Sequence, residues 1–214
     1  MPTCSLSFTT RRAQNTTDLR AAAAVRAAAY GHHIAPLATA FAAPDALDHA
    51  PGTTVLLCHD KESGEAIGTA RLQHSTAGPL LLESSVLLPA WLARQPRVEV
   101  TRLAVRAGAH RLVKLMLMKA IWRSCLANEV RWMVIGARSD ALIRDYLRLG
   151  FRDALDAETR VPLAHAGGLA HRILAFDVTG AHRDWAASGH PLYAFMVGTI
   201  HPDLQLGEAL PLAA

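Results

Sequence analysis

No apolar run in this 214-residue chain reaches the roughly 18 residues that a membrane span requires. The opening MPTCSLSFTTRRAQ has no apolar core of the kind a secretory leader carries, so the expected location is cytoplasmic. Cysteine is scarce. Cys4, Cys58 and Cys125 are odd in number and widely spaced, which makes neither a disulfide framework nor a zinc site, and they read as reduced thiols, two of them in the core. Of 11 histidines only His32 and His33 are clustered, and no pair has the spacing of a helical metal site; no metal is expected. Charge of one sign is lacking too: 22 Lys and Arg against 18 Asp and Glu leave +4, too little to mark a nucleic-acid binder. An acidic partner or an anionic substrate remains compatible with that balance. There is no internal repeat and no charged linker, and the 51% hydrophobic content suffices for a substantial core, so a single domain over 1–214 is expected.

What is present reads as alternating strands and helices. CSLSFTT alternates like an edge strand, and TTDLRAAAAVRAAAYGHH is an Ala-rich helix with Thr16, Thr17 or Asp18 as cap and Gly31 as stop. IAPLATAFAAPDALDHAPG, with three prolines, is a loop; TTVLLCHD, KESG and EAIGTARLQH make a strand, a turn and a strand. STAGPLLLESSVLLPAWLARQP leads to the strand RVEVTRLAVR, and AGAHRLVKLMLMKAIWRSCLANE is a long helix with Gly108 at its start. Val113, Leu117, Ala120, Ile121 and Ser124 share one face of it. VRWMVIGA is a buried strand, SDALIRDYLRLG a capped helix ending at Gly150, and FRDAL and HRILAFDV are further strands. Trp91, Trp122, Trp132, Met116 and Met118 read as core, with an acyl-chain tunnel as the alternative. The order predicts an α/β (α+β) domain, a mixed central β-sheet flanked by helices.

The stretch VEVTRLAV sets Glu99 and Arg102 into an otherwise apolar strand. Three apart in a regular strand, they face opposite ways and are no simple ion pair; a bulge would change that. The loop after this strand delivers backbone N–H groups to a helix start, a ready anion site. Two parallel strands splaying apart there would leave an open edge for an extended thioester arm.

ARSDALIRDYLRLGFRD, a strand and then a helix with Tyr146 shortly before LGF, resembles the closing motif of the GNAT acyltransferase superfamily. AIGTARLQHSTAGPLLLES followed by VEVTRLAV is similar to the central signature of two of its branches that take their acyl group from acyl carrier protein. These are the acyl-homoserine-lactone (autoinducer) synthases and the N-acyl amino acid synthases. The matching residues are Gly68, Arg71, Leu72, Gly78, Pro79, Glu99 and Arg102; upstream, VRAAAY matches through Arg26 and Tyr30, and PDALD through Asp45 and Asp48. The resemblance covers roughly 20–151 and implies a GNAT fold and N-acyl transfer.

RAGAHR keeps Arg106, Gly108 and Arg111 of the superfamily's pyrophosphate loop but not its spacing. That favours acyl-phosphopantetheine on acyl carrier protein as co-substrate, with coenzyme A as the alternative and no tightly bound cofactor. Arg106, Arg111 and Lys114 either meet the acidic carrier or form an ordinary solvated helix face. YGHHIAPLA lacks the Trp that the lactone synthases generally carry in their S-adenosylmethionine-binding region, which favours an amino acid as the amine acceptor.

An α-amine must lose a proton before it attacks a thioester, and Glu99 is the candidate base. Backbone N–H groups around Leu103 to Val105 are candidate oxyanion donors. Tyr146 either protonates the leaving thiolate or packs under LGF. Arg71 and Arg102 bind a substrate carboxylate, pair with Asp45, Asp48 and Glu99, or do both, while Arg26 and Tyr30 shape the acceptor pocket. The competing readings are a lactone synthase using S-adenosylmethionine, a coenzyme-A-dependent N-acetyltransferase and a non-catalytic acyl-binding module.

Overall fold

The computed structural model describes residues 1–32 and 35–207. His33 and Ile34, within the stretch where the lactone synthases' Trp is missing, and the end of the tail lie outside the described residues. The chain divides into two compact units that alternate along the sequence.

The first unit takes, among the described residues, 1–72, 102–124 and 198–207. It contains β1 (Phe8–Arg12), α1 (Thr16–Gly31), α2 (Ala35–Ala40), a 3₁₀ turn at Ala46–His49, β2 (Thr53–Asp60) and most of β3 (Ala66–His74). Its strand order ends with β2, β1 and then β9 (Leu204–Gln205). β1 runs antiparallel to β2, from Phe8 opposite Asp60 to Arg12 opposite Leu56, and β9 lies parallel on its other side. The expected edge strand is therefore covered: a two-residue strand is too short to leave a periodic signal. α1 begins one residue before the predicted caps, because the Asn15 side chain accepts the Asp18 N–H at 3.0 Å. Asp18 turns instead to Arg11, in a two-pronged pair at 2.6 Å each. α1 ends at Gly31, as read, with His32 as its C-cap, but Gly31 itself stays helical rather than turning left-handed; a β-carbon there would stand 2.6 Å from that of Ala38 on α2, so close approach explains the glycine.

The second unit takes residues 73–101 and 125–197. Its elements include a 3₁₀ turn at Leu81–Ser84, α3 (Ala90–Ala93), the start of β4 (Arg97–Val105), β5 (Trp132–Ala137) and α5 (Asp140–Leu149). β6 (Arg152–Asp153), β7 (Arg160–Leu163), β8 (Leu169–Asp177) and α6 (Ala181–Ala187) complete it. β5 lies between β4, parallel to it, and β8, antiparallel; β6 and β7 both pair with β8. Its core gathers Leu80, Leu82, Leu88, Leu92, Trp132, Val134, Leu163, Ile173 and Ala175. α5 has the predicted cap at Ser139, and Gly150 at φ +102 ends it, with the Phe151 N–H returning to the Tyr146 carbonyl. Trp91 is not core: it is 41% exposed, set edge-on to Trp132 with the Arg152 guanidinium above both rings. Met116, Met118, Trp122 and Trp132 are buried as expected.

Of α4 (Val113–Ala127), the predicted apolar face is buried throughout. The helix begins five residues after Gly108. That glycine is left-handed, φ +78, which ends helical geometry at once, and the His110 ring nitrogen accepts the Leu112 N–H just before the first turn. Cys58 and Cys125 are buried, and burial pushes both thiols up to about 12. No helix among the described residues is long and apolar enough to cross a membrane.

Candidate functional site

In the first unit the predicted acidic pair and arginines meet. Asp45 and Asp48 flank one 3₁₀ turn and cap it reciprocally: Asp45 Oδ1 accepts the Leu47 and Asp48 N–H groups, and Asp48 Oδ2 accepts the Asp45 N–H. Arg71 reaches across from β3, one nitrogen 2.7 and 2.8 Å from the two Asp45 oxygens and 3.3 Å from Asp48. Arg26, from α1, takes the other Asp48 oxygen at 2.6 Å. The Arg26, Arg71 and Asp48 side chains are 2%, 1% and 0% exposed. Burial works to raise the Asp45 carboxyl, but the Arg71 hydrogen bond and the charges of Arg71 and Arg102 outweigh it and hold it below its ordinary value.

Tyr30, one helical turn after Arg26, donates its hydroxyl to the Leu103 carbonyl at 3.1 Å and sets its ring against Phe41. Burial raises its hydroxyl above the ordinary value, with Arg102, Arg26 and Arg71 pulling the other way. Arg102 lies 3.9 Å from Asp45 and stacks its guanidinium 4.1 Å over Phe41, while burial lowers its basicity. Its φ is +56. This left-handed residue breaks the two-residue alternation of the strand, the interruption that a bulge would bring. Two guanidiniums here, the buried one of Arg26 and the half-buried one of Arg102, keep buried donors with no hydrogen-bond partner: Nε and the second Nη of Arg26, and Nε of Arg102. Such atoms are costly to leave unmet, and a carboxylate is the group that meets them best.

Of the predicted carrier-binding residues, Arg106 pairs with Glu65 at 2.9 Å and gives its N–H to Ile67, Arg111 is exposed and Lys114 is half-buried. A β-carbon on Gly108 would meet nothing within 4 Å, so this glycine serves the turn and leaves the loop open. Val105 and Leu103 are half-buried on β4.

In the second unit Glu99 is 1% exposed. One carboxylate oxygen accepts the Leu82 N–H at 2.9 Å, and the other lies 3.5 Å from Nε2 of His165. The turn presenting Leu82 is braced by Glu83, which accepts the Leu80 N–H and holds the Arg97 guanidinium. β4 pairs with β5 from Arg97 opposite Trp132 to Glu99 opposite Val134, and both strands continue beyond that rung. The carboxylate thus sits where the parallel pairing ends. β5 meanwhile stays paired with β8 as far as Ala137, so its backbone remains extended.

Tyr146, on α5, is 3% exposed and packs on Phe151, the first of a row of rings running through Phe176 to Trp185. The residues missed by sequence reasoning are Phe41, which carries no motif, and His165, which lies 66 positions from Glu99 with no spacing to betray the contact.

No family model matches the sequence, and no curated protein matches it. Solved structures do. FeeM, an N-acyl amino acid synthase from uncultured soil microbes, is 19% identical with a TM-score of 0.66, covering 88% of this chain and 97% of its own. BjaI, a CoA-dependent acyl-homoserine lactone synthase solved with SAM and isopentyl-CoA, is 15% identical with a TM-score of 0.57, over 91% and 93%. An acyl-CoA N-acyltransferase from Pseudomonas aeruginosa is 14% identical with a TM-score of 0.55, over 79% and 97%. The likeness establishes the expected architecture: the chain has the GNAT fold, a mixed sheet flanked by helices.

Proposed function

We propose that this GNAT-fold chain is an acyltransferase that moves a long-chain fatty acyl group from acyl carrier protein to the α-amine of an amino acid. The observation that carries the acceptor half is the pair of arginines, Arg26 and Arg102, whose buried, unpartnered donors suit an α-carboxylate. Arg71 is the less suitable ligand, because its terminal nitrogen is already committed to Asp45 and Asp48. The donor half draws on the parallel pairing that ends at Glu99, where an extended pantetheine arm gains backbone partners. FeeM, named as an N-acyl amino acid synthase, agrees with this reading.

In the reaction Glu99 takes a proton from the ammonium, and the freed nitrogen attacks the thioester carbonyl carbon. The C–N bond forms, the C–S bond breaks, and the thiolate leaves as a thiol. Leu103 to Val105 supply candidate backbone donors to the oxyanion. Tyr146, buried against Phe151, is the candidate donor to the thiolate, and a thiolate is a good enough leaving group that its loss should cost less than that of Glu99. Arg106, Arg111 and Lys114 around the open Gly108 turn are the candidate contacts for the carrier's acidic face and phosphate. No tightly held cofactor is required.

Incubating the protein with long-chain acyl carrier protein and single amino acids, with mass spectrometry of the products, tests the reading: N-acyl amino acid and free carrier thiol are expected. Release of methylthioadenosine from S-adenosylmethionine would instead establish the second reading, a lactone synthase, which the likeness to BjaI favours. Glu99→Gln should lower kcat by about 10²–10⁴-fold while acyl-carrier binding is retained.

A further inference from the structure

We propose that Phe41 is a positioning residue acting through Arg102: its ring fixes the plane of the guanidinium that takes the acceptor's carboxylate, and so sets the affinity for acceptors that carry one. The role rests on the amino acid reading of the acceptor and falls on a residue that no motif offered.

Three arginines and two aspartates meet in this cluster, which leaves one positive charge in excess. The excess belongs to Arg102. Arg26 is held by Asp48 at 2.6 Å, and Arg71 by Asp45 at 2.7 Å and Asp48 at 3.3 Å. Arg102 has only Asp45 at 3.9 Å, near enough to attract and too far to hydrogen-bond, and among the described residues no hydrogen bond reaches its guanidinium. Of its nitrogens Nε is buried and the two Nη are not, in a side chain that is 18% exposed. Those two offer the parallel pair of donors that a carboxylate meets with both oxygens. Such a ligand needs the fork held in one plane, and the contact that holds it is the Phe41 ring, 4.1 Å away.

The ring is itself placed. Phe41 directly follows α2, and α2 comes close to α1 at Gly31, where a β-carbon would stand 2.6 Å from that of Ala38. Tyr30, the residue before that glycine, sets its ring edge-on to Phe41 at 5.2 Å and donates its hydroxyl to the carbonyl of Leu103, next to Arg102. One tyrosine thus braces both the aromatic support and the strand that carries the cation. The left-handed backbone of Arg102, φ +56, is held between them.

The test is calorimetric titration of the full-length protein with the standard L-amino acids. The tightest binder is then compared with its amide, which keeps the amine and the side chain but has no carboxylate. Phe41→Leu should weaken binding of the acid about tenfold and of the amide by less than about twofold, while Phe41→Tyr, which keeps a ring face, should retain most of the affinity for the acid. With acyl carrier protein thioester as donor, KM for the acid should rise about tenfold in Phe41→Leu while KM for the thioester stays. Unchanged affinity for the acid in Phe41→Leu overturns the proposal, as does a loss shared equally by acid and amide, or by Phe41→Leu and Phe41→Tyr, which marks general packing. A wild type that binds no amino acid, or binds acid and amide alike, overturns it as well. A wild type that binds the acid yet releases no thiol from acyl carrier protein overturns the acyl-transfer reading alone.

Discussion

Asp48→Asn removes one charge from the buried network with almost no change in side-chain volume. Asp48 is fully buried between Arg26 at 2.6 Å and Arg71 at 3.3 Å. Asparagine can still accept the Asp45 N–H, and Arg71 keeps both oxygens of Asp45. Arg26 keeps at most a neutral acceptor, the same oxygen that takes the Asp45 N–H, and loses its counter-charge while its Nε and second Nη already lack partners, so the substitution leaves an uncompensated guanidinium that is 2% exposed. Stranding one member of a buried ion pair costs about 3–5 kcal/mol, and because Arg71 is still paired we expect the lower end, about 3 kcal/mol. At about 2–4 °C per kcal/mol for a chain of this size, the melting temperature should fall by about 6–12 °C. Arg26→Met should be milder, about 1–2 kcal/mol, because Asp48 then retains Arg71 and a backbone N–H. The double variant should cost less than the sum of the two, since it leaves no stranded charge. Urea unfolding of the four proteins at constant m-value measures the cycle. An Asp48→Asn cost under about 1 kcal/mol, or strict additivity, would refute the reasoning.

Asp18 is held down to about 2, first by its hydrogen bond to Arg11, so its contribution is complete above the ordinary 3.8 and disappears as pH falls through about 2. Asp18→Asn should therefore flatten acid unfolding in that window and lose about 1 kcal/mol at neutral pH, Arg11 being partly solvated; matching acid curves would contradict this. Lys119 is pushed down to about 8, first by burial and then by Arg123, whereas the unfolded chain keeps that proton to about 10.5. Between those values the unfolded state binds more protons, so stability should climb with pH, and Lys119→Met should abolish the climb in unfolding titrations. Gly68→Ala would place a β-carbon 2.5 Å from Val113 Cγ1 and 3.2 Å from Leu117 Cδ1, at an expected cost of about 1–3 kcal/mol; an unchanged melting curve would show that α4 yields.

The elements legible in the sequence are those whose signal is local. α5 carried its cap at Ser139, its apolar face and its left-handed Gly150 within twelve residues, and it forms as read. The apolar face of α4 was equally plain, but its start was not, because a glycine before a helix reads alike whether it joins the first turn or, as Gly108 does, forbids it. Gly31 shows a second ambiguity: it is the last residue of α1 as read, yet its reason is the room it leaves for Ala38, a contact no local pattern encodes. The cap was read among Thr16, Thr17 and Asp18 because these are all good caps, but Asn15 takes the role, accepting the Asp18 N–H while the Asp18 side chain turns to Arg11.

The charges of the candidate site divide along the same line. Asp45 and Asp48 sit in a short motif, and their partners Arg26 and Arg71 came from the same resemblance, so the network was foreseeable as a set though not its asymmetry. What no parity argument could reach is Arg102. In a regular strand its direction would follow from that of Glu99; a left-handed arginine suspends the rule and costs of the order of 1–3 kcal/mol. Such a conformation persists only where surrounding contacts over-determine it, and Arg102 has them in Phe41 against its face and Asp45 beside its edge. Strain held in place by an aromatic ring and a carboxylate, with a buried Nε still unpartnered, is what the proposed carboxylate-binding role of Arg102 would require. The two charges in VEVTRLAV thus have different settings: Glu99, the proposed base, is a buried carboxylate at the end of a parallel pairing, and Arg102 is a left-handed residue whose guanidinium lies against Phe41 and beside Asp45.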